Sequence, residues 1–211
     1  MAGIHDFWLF IVAGFLLNVT PGPDTLYIVG RSATQGVRAG LVAALGIFCG
    51  CFVHIAAAAI GLSALILASA EAFLVVKVVG AAYLIYVGFT LLLSRAASAS
   101  NAPPRLVPAR LSTVFWQGAI TNALNPKVAI FFLAFLPQFI AADAPHKALA
   151  FVVLGVIFNV NGLLFWNAFV AWSAGRVAGN LRRGRAAQWI NRSIGAMFIA
   201  MGVRLALFER S

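Results

Sequence analysis

The sequence predicts an all-α polytopic membrane protein with six transmembrane helices, arranged as two inverted three-helix repeats. The first observation is composition: 63% of the 211 residues are hydrophobic and 9% are charged, whereas about a quarter of the residues in soluble domains are charged. The second is a series of six long apolar runs joined by short connections. The third is a proline-containing break in the first run that recurs in the fourth, and this recurrence predicts the repeat.

The six apolar runs define the predicted spans, because a helix that crosses a bilayer takes about 20 apolar residues. No connection between them is long enough for a folded soluble domain, so residues 1–211 are predicted to form a single transmembrane domain. The spans are Phe7–Gly30, Ala39–Ala68, Val75–Leu93, Thr113–Ile140, Ala148–Ala174 and Trp189–Leu207.

The first span is interrupted by the sequence Asn-Val-Thr-Pro-Gly-Pro-Asp, which ends at Asp24. Pro21 and Pro23 have no N–H group and clash with the preceding turn, so the entering helix is expected to stop near Asn18. Thr20 is a good N-cap and Pro21 suits the first helical position, so a second helix is expected to start there. Asp24 is the only acid inside a predicted span. A broken, charged segment is tolerated in lipid where it faces protein or a water-filled cavity.

The fourth span carries a matching break, in which Asn122 is followed by the pair Asn125-Pro126. Similar motifs recur in the same order along both halves, which cover about 4–95 and 111–208 and are joined by a linker at about 96–110 rich in Ala, Ser and Pro. Because three spans is an odd number, a duplicated half must lie inverted in the membrane. Inverted repeats with paired broken helices are typical of transporters, with the binding site between the repeats at mid-membrane.

The charged residues predict the orientation of the chain. The formal net charge is +10, but no aromatic-basic surface motif accompanies it, so no nucleic-acid partner is predicted. The charged residues in the loops after the first, third and fifth spans are all arginines, beginning with Arg31 and Arg38. Every acid except Asp24 falls on the opposite side of the membrane. The positive-inside rule makes the arginine loops cytoplasmic and both termini external. The arginine cluster around Arg183 is also suited to contact with lipid phosphates.

The two breaks are predicted to bring two helix N-termini together near the bilayer centre. Each presents unpaired N–H groups and partial positive charge, which suit an anion such as an α-carboxylate. Carbonyl groups near Leu17 and Val19 lose their hydrogen-bond partners to the prolines, so they are expected to accept from an ammonium group. Asp24 and Lys127 add opposite charges, which either bind a zwitterion or neutralise each other as a structural pair. A coupled proton is a further candidate ligand of Asp24.

Four further polar side chains within the apolar spans are candidates for a role in function or in helix packing. His54, in the second span, is either functional or hydrogen-bonded to a neighbouring helix. Asn159, Asn161 and Asn167 predict that part of the fifth span faces the protein interior, where they either join helices or line a pathway.

The small residues of the second span are expected to serve helix packing, and the sequence lacks common enzyme motifs. Cys49 and Cys51 are two apart in one span, so they point to different sides and are expected to be packing residues. Gly46 and Gly50 are four apart and predict close helix packing. The sequence contains no phosphate-binding loop, metalloprotease motif or nucleophile elbow. No catalytic residue, metal or cofactor is therefore predicted.

Several motifs resemble those of the lysine exporter and threonine/homoserine efflux (LysE/RhtB) family. They are Gly-Phe-Leu-Leu-Asn-Val-Thr-Pro-Gly-Pro-Asp-Thr-Leu at 14–26, Gln-Gly-x-Arg-Ala-Gly at 35–40, Lys-x-x-Gly-Ala-Ala-Tyr-Leu at 77–84 and Asn-x-x-Asn-Pro-Lys at 122–127. The resemblance spans nearly the whole chain. It implies a dimeric secondary exporter of amino acids or their derivatives in the bacterial inner membrane, driven by an ion gradient that we expect to be of protons.

The resemblance also assigns site residues position by position. With Thr20 and His54 from the analysis above, the predicted substrate- or ion-binding residues are Asn18, Thr20, Pro21, Gly22, Pro23, Asp24, His54, Asn122, Asn125, Pro126 and Lys127.

Three alternatives remain at this stage. A metal-ion exporter of the same superfamily would need thiolate or carboxylate ligands, which are few here. An intramembrane enzyme would need Asp24 and His54 within hydrogen-bond reach of one substrate. A membrane scaffold would move nothing across the bilayer.

Overall fold

The computed structural model describes residues 3–20, 22–62, 106–141 and 143–176. It also describes short helical stretches in the third and sixth predicted spans, at 74–75, 78–79, 81–82, 85–86, 89, 92–93, 192, 196, 199–200 and 203. Pro21, the rest of those two spans and the linker residues 96–105 lie outside the described residues.

The described part of the chain is almost entirely helical, and its only β-pairing is an isolated bridge between Ile4 and Ile140. The α-helices are α1 (Phe7–Val19), α2 (Pro23–Gln35), α3 (Val37–Ala57), α4 (Leu111–Ala123), α5 (Pro126–Ile130), α6 (Lys147–Asn161) and α7 (Ala168–Arg176). π-helical turns extend α3 (Ala58–Leu62), extend α5 (Phe131–Phe135, followed by a 3-10 turn at Leu136–Phe139) and join α6 to α7 (Gly162–Asn167).

The described helices provide two clear apolar spans and two bent ones. Val37–Gly61 and Lys147–Ala174 are long and apolar enough to cross a membrane, and each bent pair, α1 with α2 and α4 with the helical run from Pro126 to Phe139, can make one further span. The all-helical, apolar architecture is thus confirmed, with up to four spans among the described residues. The six-span count and the repeat stay predictions.

Both predicted breaks are present, with bends of 52° in the first span and 44° in the fourth. In the first, however, the prediction that Thr20 is an N-cap is wrong. Thr20 follows the last residue of α1, and its hydroxyl donates back to the Leu16 carbonyl oxygen at 2.8 Å. The next helix begins later than predicted, at Pro23 with Gly22 as its N-cap. A threonine hydroxyl can hydrogen-bond to the preceding turn of a helix or to the turn that follows it, and the Thr20 hydroxyl bonds to the preceding turn.

In the fourth span, the predicted cap is confirmed. The Asn125 side-chain oxygen accepts a hydrogen bond from the Lys127 N–H at 3.0 Å, and Pro126 is the first residue of α5. The missing N–H of proline costs nothing at this position, because the first helical N–H groups have no partner within the helix.

Glycines bring α3 and α4 into backbone contact. A Cβ at Gly46 or Gly50 would overlap the carbonyl groups of Phe115 or Ala119, and one at Gly118 would crowd α3 in return. The predicted close packing at Gly46 and Gly50 is therefore confirmed, and its partner is the first half of the fourth span. This contact fixes the depth at which the second break sits beside α3.

Arg31 was expected in a loop between the first two spans, and this is wrong, while its cytoplasmic side stays a prediction. It lies in α2 with 4% of its surface exposed, and the connection to α3 is Gly36 alone, whose φ of 82° suits glycine. The Arg31 guanidinium donates to the Gln35 and Gln117 side chains and to the Val107 carbonyl at 2.6–2.9 Å. A buried guanidinium needs such partners, and these bonds tie α2 to α4 and to the segment before it.

Candidate functional site

The Asp24 carboxylate is held by the opposite break. Asp24 lies in the first turn of α2, and its Oδ2 accepts hydrogen bonds from the side-chain amides of Asn122 and Asn125, both at 2.9 Å. Both asparagines are buried, at 3% and 1% exposure. The expectation that the two breaks meet is therefore confirmed. Because both bonds reach Oδ2, the second oxygen, Oδ1, has no partner among the described residues.

The Lys127 ammonium is held by the first break. Its Nζ donates to the carbonyl oxygens of Leu17 at 3.1 Å and Thr20 at 2.9 Å, at the end of α1. Gly22 leaves room for this side chain, since a Cβ there would lie 3.2 Å from Nζ. Leu17 was predicted to offer its carbonyl to an ammonium group, and the group that takes it is Lys127.

Asp24 and Lys127 are close enough to interact electrostatically, yet no direct ion pair joins them in the described part of the chain. Each charge instead has its own set of hydrogen-bond partners, and those partners come from the other break. The two charges still interact through space, so their neutralisation as a structural pair stays an alternative to substrate binding. The arrangement leaves Asp24 Oδ1 without a hydrogen-bond partner among the described residues.

A small cavity of about 30 Å³ lies between the breaks, with both charged groups on its wall. Three buried polar atoms of its lining have no hydrogen-bond partner among the described residues: Asn18 Nδ2, Asp24 Oδ1 and Asn122 Oδ1. Buried polar atoms are normally paired, so one donor and two acceptors are available to a bound molecule. The remaining lining residues are Leu17, Thr25, Ile47, Cys51, Val128, Phe158, Asn159, Gly162 and Asn167.

The cavity is too small to hold an amino acid. A water molecule needs at least about 10–15 Å³ of such space, so 30 Å³ holds about two waters and no amino acid. The surrounding helices must separate to admit a larger molecule.

Of the other predicted site residues, His54 lies beside the cavity rather than on its wall. Its Nε2 bonds to the Asn122 carbonyl oxygen at 2.8 Å, so this nitrogen carries the proton, and it is a neighbour of the site rather than part of the lining. Pro23 and Pro126 are exposed first residues of their helices and do not line the cavity.

Several lining residues are not among the site residues predicted from the sequence. Asn159 and Asn167 face the cavity, and Asn159 also donates to the Phe48 carbonyl at 3.0 Å, so it both joins helices and lines the site. Their signal was the run of asparagines in an apolar span. Phe158 and Cys51 carried no such signal, because an aromatic or a thiol in an apolar span is ordinary.

Comparison with known proteins places this geometry in a family. The model of the LysE type translocators matches residues 15–208, which include both breaks and every polar lining residue of the cavity. The chain belongs to this family. An uncharacterized membrane protein of Pseudomonas aeruginosa is 32% identical over 209 residues, covering 97% of this chain and 96% of that protein.

Other relatives of this LysE type protein are named for transport. The leucine efflux protein of Salmonella typhimurium is 29% identical over 213 residues, covering 98% of this chain and 97% of that protein. The leucine efflux protein of Enterobacter sp. strain 638 is 30% identical over 210 residues, covering 97% and 96%. No solved structure matches the chain. At the level of the family, the protein is thus a membrane transporter of amino acids.

Proposed function

We propose that this LysE type protein is a secondary exporter that moves an apolar amino acid, such as leucine, out of the cell across the bacterial inner membrane. The observation that carries the proposal is the cavity between the breaks, where one donor and two acceptors lack partners beside a carboxylate and an ammonium. A zwitterionic amino acid complements both charges.

The polar atoms divide naturally between the two ends of such a substrate. Asp24 Oδ1 and Asn122 Oδ1 are acceptors and suit its ammonium group, while Asn18 Nδ2 is a donor and, with the positive charge of Lys127, suits its carboxylate. The sequence predicts that two helix N-termini bind the substrate carboxylate. The α2 N-terminus carries Asp24 in its first turn and the α5 N-terminus is capped by Asn125, so side-chain donors suit this role better.

The apolar part of the lining supports an apolar side chain on the substrate. Leu17, Ile47, Val128 and Phe158 line the same cavity and offer no hydrogen bond to a polar side chain. The names of the leucine efflux relatives point to the same class of substrate.

The wider architecture of the proposal follows the sequence. Six spans form two inverted repeats, both termini lie outside, the protein is a homodimer, and alternating access takes place about the paired breaks. Export is driven by proton antiport, with Asp24 as the residue that exchanges substrate ammonium for a proton. The two bent spans and the meeting of their breaks support this scheme.

The test is to feed cells a panel of dipeptides, with and without the protein, and to measure amino acids inside and outside the cells. We expect intracellular leucine, and similar apolar amino acids, to fall while their external concentration rises. Unchanged levels of every amino acid, with the protein present in the membrane, would refute the proposal.

A further inference from the structure

The end of α1 has the construction of a cation site. A helix C-terminus carries partial negative charge and unpaired carbonyl groups, and in broken-helix transporters such carbonyls coordinate a coupling cation. Here the Leu17 and Thr20 carbonyl oxygens converge on one point, although the Leu17 oxygen also accepts from the Thr20 N–H at 3.2 Å, and the Asp24 carboxylate lies on the same small cavity.

In this protein the point of convergence is filled by the chain itself. The Lys127 ammonium sits 3.1 and 2.9 Å from the two carbonyl oxygens, and it reaches them from the opposite break. Gly22 has no side chain to obstruct it. An ammonium with two oxygen ligands and a nearby carboxylate has the surroundings of a bound monovalent cation.

We propose that the Leu17 and Thr20 carbonyls form a monovalent-cation site in which the Lys127 ammonium acts as a tethered cation, in place of a coupling metal ion. Two consequences follow. The wild-type protein needs no Na⁺ or K⁺ at this site. Removal of the Lys127 side chain beyond Cβ leaves a site with carbonyl ligands that Na⁺ or K⁺ can enter. The first consequence, applied to export, rests on the proposed function; the second does not.

The experiment measures thermal unfolding of the purified full-length protein in NaCl, KCl and choline chloride at equal ionic strength. We expect Lys127→Ala to show a higher Tm in NaCl or KCl than in choline chloride, by about 3–6 °C at ten times the Kd. Wild type should show the same Tm in all three salts. Lys147→Ala is the matched control, because the Lys147 ammonium also bonds a carbonyl, that of Ala144 at 3.2 Å, but outside the break.

A second variant distinguishes loss of the positive charge at residue 127 from loss of the side chain that fills the site. Lys127→Met keeps the long side chain but not the charge, so it should show no preference for metal cations. According to the proposal, Na⁺ or K⁺ should replace the lost ammonium in Lys127→Ala. Equal Tm values of this variant in the three salts, or failure to fold in all of them, would therefore overturn the proposal. Folding in NaCl or KCl but not in choline chloride would support it.

Export by the wild-type protein provides an independent check. Replacing Na⁺ and K⁺ by choline on both sides of proteoliposomes should leave the initial rate unchanged, whereas a fall of tenfold or more would overturn the proposal. Should the protein export no amino acid at all, the proposed function fails while the Tm comparison still decides the cation site.

Discussion

Replacing Asp24 by asparagine changes the charge of the site with little change in shape. The amide oxygen of the new side chain can still accept the two hydrogen bonds from Asn122 and Asn125 that Oδ2 accepts at 2.9 Å. At the position of Oδ1, an NH₂ donor would replace an acceptor and face the substrate ammonium. Breaking a buried charge pair costs about 3–5 kcal/mol, which at about 1.4 kcal/mol per factor of ten predicts a loss of about 100-fold to 4,000-fold in substrate affinity.

The assay is leucine efflux from preloaded cells, together with leucine binding to the purified protein. Asp24→Asn should reach the membrane in normal amounts, because its hydrogen bonds within the protein are kept, yet export should be abolished. Asp143→Asn is the matched control, since that acid lies in an exposed turn after the fourth span and its substitution should leave efflux unchanged. Efflux by Asp24→Asn at the wild-type rate, with unchanged affinity, would remove Asp24 from the mechanism.

Two further substitutions test packing and specificity. Gly46→Ala should lower Tm and reduce the free energy of unfolding by at least about 1–3 kcal/mol, because its Cβ would overlap the Phe115 carbonyl. The control, Gly61→Ala, should not lower Tm, because no atom lies within 4 Å of the added Cβ. Equal Tm values for the two variants would contradict the close contact between α3 and α4. Phe158→Ala should enlarge the cavity and shift export toward bulkier apolar amino acids in a competition assay. The control, Phe151→Ala, removes a side chain that is buried but not on the cavity. It should lower stability by a similar amount, about 3–5 kcal/mol, without changing the substrate preference.

The parts of the fold that depend on backbone chemistry could be predicted from the sequence. Proline cannot continue a helix, so both breaks were located to within a few residues, and the cap at Asn125 followed from its place before Pro126. The two glycines Gly46 and Gly50 signalled a close contact because only a residue without a side chain permits it. Asp24 was identified since a lone acid in an apolar span is costly without a function.

What could not be predicted depends on which groups meet in three dimensions. The hydroxyl of Thr20 could cap either neighbouring helix. Which helix it caps depends on local backbone geometry, which the spacing of residues in the sequence does not specify. Arg31 belongs to a loop by charge pattern, but its partners Gln117 and Val107 lie far along the chain, and they make its burial possible. Similarly, the sequence pointed to an ammonium acceptor at the end of α1 without showing that Lys127 would occupy it.

The hydrogen bonds between the breaks limit how the site can open. Asp24 accepts two charged bonds from the fourth span, and Lys127 donates two to the first. Charged hydrogen bonds contribute about 1.5–3 kcal/mol each, so pulling these spans apart would cost about 6–12 kcal/mol, which is comparable to the stability of a whole domain, about 5–15 kcal/mol. The broken spans should therefore stay together during transport.

The opposite wall of the cavity is easier to move. It is formed by the helix from α6 to α7, which contributes Phe158, Asn159 and Asn167. Within the described part of the chain, the polar bond from its lining residues goes from Asn159 to Phe48 in α3. Breaking this polar contact costs about 0.5–1.5 kcal/mol, and apolar contacts of the helix, such as that of Phe158 with Phe131, can be exchanged for contacts with lipid chains, which are equally apolar. Access to Asp24 should therefore open by displacement of this helix, with the paired breaks as the fixed centre.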